Sequence, residues 1–211
     1  MRLPTPRVAC RAALLAAAVL LVGTGPARAH LVTTGLGPLY DGAAHFFLSA
    51  EDLVPVLALA LLGGMRGPRP ARWMLFALSA CWLAGSVVGW HARTPLGDLL
   101  PAVSFVVAGG LVALDAALPA TVLAVLAGLI GLGQGWGYGS AAAAVDMSWP
   151  ALAGCVAAVF ATFALVVALV LPLRSRVART AVRVSGSWIA AAGVLLLGWT
   201  LRRGDGLPPL S

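Results

Sequence analysis

The chain has 211 residues, 61% of them hydrophobic and 10% charged, where soluble domains carry about 45–50% and about 25%. That composition excludes a soluble globular domain and a disordered segment, and three cysteines are too few for a disulfide scaffold. The formal charge of +7 rests on fourteen arginines and no lysine, and removing a leader that carries Arg2, Arg7, Arg11 and Arg28 leaves ten arginines against seven acids, or +3. Positive-inside topology accounts for that remainder, so no nucleic-acid partner is implied.

Residues 1–29 read as a cleaved secretory signal peptide: a basic start, an apolar stretch from Ala12 to Val22, and the small-x-small site Ala27-Arg28-Ala29. The apolar stretch is only about half of the roughly 20 residues that a spanning helix needs. The mature chain, residues 30–211, is therefore expected to begin at His30 on the periplasmic side of a bacterial inner membrane. Six apolar stretches follow, near 44–63, 73–92, 99–118, 121–140, 150–171 and 184–201, separated by Gly/Pro-rich breaks. The expected fold is all-α, one polytopic bundle of six transmembrane helices. An outside start places Arg66, Arg69, Arg72, Arg174, Arg176, Arg179 and Arg183 inside, with Arg93, Arg202 and Arg203 outside, in agreement with the charge rule. Cys81 and Cys155 fall within apolar runs and are expected to be free thiols.

Ionisable side chains inside spans are costly and mark pathways or sites. The first span carries His45, Glu51 and Asp52. On a straight helix His45 and Asp52 share a face about 10 Å apart, so a common site needs a bend or another helix. Pro55 is expected to supply the bend, because it cannot donate to the carbonyl of Glu51 and leaves that oxygen free. Ser49-Ala50-Glu51-Asp52 also reads as a capping box, with Ser49 as N-cap. The second span ends at Trp90-His91, where His91 is either interfacial or a ligand, and Asp115 reads as an acid at a loop edge. The fourth carries six glycines and Gln134 between Gly128 and Ser140, more than packing alone is expected to require. By topology His45, Glu51, Asp52, His91 and Gln134 converge on the outer half of the bundle, with His30 at its mouth. That mixture of nitrogen and oxygen donors suits a divalent cation.

These motifs resemble the HupE/UreJ family of bacterial nickel/cobalt permeases, which share a cleaved signal, an N-terminal His region and six spans. The family pattern Gly-x-x-His, five residues, then Asp-His is similar to Gly42-x-x-His45, five residues, then Glu51-Asp52. His91 followed by Thr94 is similar to the end of the family's second span. Gly131 to Tyr138 repeats its Gly-x-x-His-Gly-x-Gly-aromatic motif with Gln134 in the place of the His. The resemblance implies a permease and not an enzyme. It also implies a metal site drawn from His30, His45, Glu51, Asp52, His91 and Gln134, and a divalent ion as substrate, nickel or cobalt first, with Mn, Cu or Zn as alternatives. A homo-oligomer or a partner in metalloenzyme maturation is expected beside the lipid bilayer. Two other readings stand next to it: a redox protein holding haem between His45 and His91, and an accessory subunit without transport.

Overall fold

A computed structural model of the chain describes residues 34–204 apart from 95, 98 and 174. The chain divides into two units, Met1–His30 and Leu31–Ser211, and all the described residues belong to the second. The signal peptide and His30 lie outside them.

Seven helices and no strand are formed among the described residues: α1 (Pro38–Leu48), α2 (Ala50–Arg66), α3 (Pro68–Ala92), α4 (Leu99–Ala113), α5 (Ala120–Ala144), α6 (Trp149–Val170) and α7 (Arg176–Gly204). The expected all-α fold holds. Helices α3, α5, α6 and α7 are long and apolar enough to cross a membrane, and α1 with α2 makes one further span if the bent pair is counted together. The expected count of six is not reached by length, because α4 has 15 residues. Its end is local chemistry: Asp115 adopts a left-handed φ of 50°, and the amides of Asp115 and Ala116 return to the carbonyls of Val112 and Leu111. That is the double bond of a Schellman turn, with Asp as one of the few non-glycine residues that tolerates the conformation. Asp146 closes α5 in the same way, at φ 51°, with Met147 N–H bonded to the Ala142 carbonyl.

Helix α2 is the hub and touches each of the other six. Its end and the start of α3 follow from Arg66-Gly67-Pro68. Gly67 takes φ 102° and donates to Gly63, and Pro68 opens the next helix where its missing N–H costs nothing. The tightest pair is α3 with α5, and glycine makes it so. A Cβ on Gly131, Gly135 or Gly139 would strike the carbonyl of Leu78, Trp82 or Ser86 on α3, and one on Gly85 or Gly89 would strike α5 at Leu132 or Trp136. Four-residue spacing keeps these glycines on one face, so the two backbones touch along several turns. Gly128 meets Cys81, Gly133 meets Leu100, and only Gly137 of the six has open space beside it. Packing therefore accounts for nearly all of the glycine density that the sequence reading treats as an excess.

The outward faces are apolar, with Leu165, Leu169, Trp188 and Leu195 exposed. Such surfaces suit lipid and not water. Charge gathers at the ends. At one end Asp115 pairs with both Arg66 and Arg179 and ties α2, the turn after α4, and α7 together. At the other, Arg93 lies 3.7 Å from Asp146 and Trp136 donates to the carbonyl of Thr94.

Candidate functional site

The stretch that the sequence reads as the first span is two helices and not one. Helices α1 and α2 meet at an angle of 75°, and the break is Ser49, whose backbone is extended at φ −87°, ψ 101°. The Ser49 amide still closes α1 on the His45 carbonyl, while its own carbonyl accepts the first bond of α2 from Leu53. Ser49 is thus the N-cap position that the capping box predicts, but its side chain makes no cap bond to the backbone.

The position of the break decides the site. On a straight helix His45 and Asp52 stand about two turns apart, yet here His45 Nε2 lies 3.6 Å from Asp52 Oδ2. The bend expected at Pro55 falls six residues earlier, between the two side chains, and folds one onto the other. Both are buried, with 8% of His45 and 7% of Asp52 exposed. Two glycines hold α1 in place against α6: a Cβ on Gly42 would strike the carbonyl of Ala151, and one on Gly154 would strike that of Leu39. At the start of α1, Asp41 accepts from both the amide and the hydroxyl of Thr34 at 2.6 Å.

Pro55 has the other consequence expected of it. It lies inside α2 and cannot donate to the carbonyl of Glu51. That carbonyl accepts a hydrogen bond from Gln134 Nε2 on α5 at 2.8 Å, and the same amide nitrogen lies 3.4 Å from Ser104 Oγ on α4. Gln134, 4% exposed, thereby replaces the helical donor that proline lacks. Both bonds use its nitrogen, so neither occupies the acceptor capacity of its amide oxygen.

Of the expected donors, His45, Asp52 and Gln134 are carried into the interior by α1, α2 and α5. The Glu51 side chain is exposed and contributes its backbone carbonyl. His91 is exposed at the end of α3, its ring 6.1 Å from that of Trp149. His45 faces Asp52 and Tyr138, so the two imidazoles have different neighbours. Asp115 sits at the loop edge where the sequence places it. Tyr138, which the sequence reading names as the motif's aromatic and not as a site residue, joins the pair: its ring lies 5.0 Å from that of His45, and its hydroxyl donates to the Ala151 carbonyl at 3.1 Å. The signal for it was an aromatic four residues after Gln134, on the same face of α5.

Among the described residues no three His, Cys, Asp or Glu side chains form a cluster suited to a metal ion. The separation within the His45–Asp52 pair is compatible with a shared ion. Two donors 3.6 Å apart can each lie about 2.1 Å from one cation at an angle of roughly 120°. Any further ligand must come from an amide, a backbone carbonyl or water.

An all-helical bundle with apolar outer faces and helices long enough to cross a bilayer defines a polytopic membrane protein. The family described as HupE / UreJ protein matches residues 17–196. The chain belongs to that family, whose members are permease-like and associated with nickel/cobalt uptake or accessory functions. No curated protein and no solved structure matches it.

Proposed function

We propose that the chain is a permease for a divalent transition metal of the nickel/cobalt class in a bacterial inner membrane, with its mature N-terminus in the periplasm. The observation that carries this reading is the His45–Asp52 pair, buried and brought together across the helix break. One imidazole nitrogen and one carboxylate compensate much of the cation's charge in a low-dielectric interior. His91, exposed at the end of α3, collects the ion, and His30, as the expected first residue of the mature chain, is a further candidate donor. Glu51 attracts it toward the break, and Gln134 offers its amide oxygen as a third donor to the pair. A site with only two strong donors is a virtue in a pathway, because passage requires binding weak enough to release.

Uptake of labelled nickel and cobalt by cells expressing the chain tests the proposal, together with metal content of the purified protein. His45→Ala and Asp52→Ala are each expected to lower uptake at least tenfold at unchanged expression. His91→Ala is expected to matter only at low metal concentration. Normal uptake in both interior variants would refute the path.

A further inference from the structure

The arginine-rich end holds a cavity lined by none of the residues of the proposed metal site. It has a volume of about 400 Å³ and lies where the α2–α3 turn faces the end of α6 and the start of α7, with Arg66, Gly67 and Arg179 on its wall. Both guanidinium groups reach the single carboxylate of Asp115. Among the described residues no other acid lies at this end: Asp41, Glu51 and Asp52 stand at the start of α1 and α2, and Asp146 pairs with Arg93. Two cations against one anion leave the cavity one positive charge in excess. Arg183 bonds the Ala113 carbonyl nearby through Nε at 2.9 Å, and Arg69 and Arg72 are exposed on the first turn of α3.

The cavity does not end in polar surface. It shares Pro68 and Leu171 with a second, apolar groove of about 220 Å³ between α3 and α6, lined by Leu75, Phe163 and Val167, with Arg72 at its rim. The second volume runs along helices that face the bilayer. A basic pocket adjoining an apolar groove has the chemistry that an amphiphile with an anionic head requires. A free anion would leave the groove empty, and a zwitterionic lipid would leave the excess charge uncompensated.

We propose that this end of the bundle binds one anionic phospholipid of the adjacent leaflet, with its phosphate between Arg66 and Arg179 and an acyl chain in the α3–α6 groove. Bound there, the lipid joins the α2–α3 turn to α6 and α7. The proposal does not depend on the transported substrate.

Native mass spectrometry of the full chain, released from detergent micelles holding equal amounts of phosphatidylglycerol and phosphatidylcholine with identical acyl chains, tests it. One basic residue near a membrane surface contributes about fivefold to affinity for an anionic head, so the wild type should retain one phosphatidylglycerol with about fivefold preference. Arg179→Gln removes the exposed partner of Asp115 and leaves the Arg66–Asp115 pair, and it should abolish the preference, while Arg179→Lys should restore most of it. Ala168→Trp fills the groove from its exposed edge and should lower retention of the lipid about tenfold. Equal retention of both lipids by the wild type, or a preference indifferent to Arg179→Gln, overturns the charged site. Retention unaffected by Ala168→Trp overturns the acyl groove. Thermal stabilisation by inorganic phosphate equal to that by phosphatidylglycerol, and surviving Ala168→Trp, shows a free-anion site and overturns the lipid.

Discussion

Replacing Gln134 by Leu removes the side-chain donor that bonds the Glu51 carbonyl, at a place where the usual helical donor is missing because position 55 is proline. Interhelical hydrogen bonds in membrane proteins are worth about 0.6 kcal/mol on average and about 1.7 at most, since the chain usually finds another partner. Here the usual alternative within the helix is missing, so the loss approaches that of an orphaned carbonyl, about 1–3 kcal/mol. We expect about 1.5 kcal/mol for Gln134→Leu, measured by reversible unfolding in mixed micelles and followed by far-UV circular dichroism. The same substitution in a Pro55→Ala background should cost less than about 0.6 kcal/mol, because the new amide at 55 can donate to Glu51 along the helix. The coupling of about 1 kcal/mol is the test, since non-interacting sites add to within about 0.3–0.5 kcal/mol. Equal losses in the two backgrounds would refute the assignment of Gln134 as the substitute donor for Pro55.

The other predictions concern the glycine contacts and the charged end. Gly42→Val puts a side chain into the Ala151 carbonyl, so α1 should lift from α6 and carry His45 away from Asp52. Bound metal should fall at least tenfold in elemental analysis while helical content is kept, and retained metal would show that the site does not depend on α1 docking. Gly135→Leu meets the α3 backbone at Trp82, whereas Gly137 has nothing within 4 Å. The first should abolish recovery of folded protein and Gly137→Ala should leave it unchanged, as size-exclusion profiles will report. Asp115→Asn keeps a residue that tolerates the left-handed turn but loses the charge shared by Arg66 and Arg179. With the Asp115 side chain 23% exposed, solvent screening limits the loss to about 1 kcal/mol, and the difference from wild type should shrink in high salt.

Composition and hydropathy alone place this chain in a membrane as helices, because no arrangement other than a helix or closed barrel hides so much backbone from lipid. They also bring His45, Asp52 and Gln134 forward, because polar groups in apolar runs stand out against their background. The free carbonyl at Glu51 was legible for the same kind of reason: proline's missing donor is a property of one residue. What the sequence could not locate was the break at Ser49. A serine within an apolar run is compatible with a continuous helix, and the close docking of α1 on α6 at Gly42 and Gly154 is a tertiary contact that favours the bent arrangement. Nor could it say that Gln134 answers Pro55, 79 positions away in the chain, or that Glu51 turns its side chain outward while Asp52 turns inward. The short α4 was half legible, since Asp115 reads as a loop edge, but the apolar residues after it extend the hydropathy signal past the turn. Helix type and burial follow from local composition, whereas the position of a break and the partner of a freed carbonyl depend on which helix faces close, and glycine spacing on two separate helices settles that only once they meet.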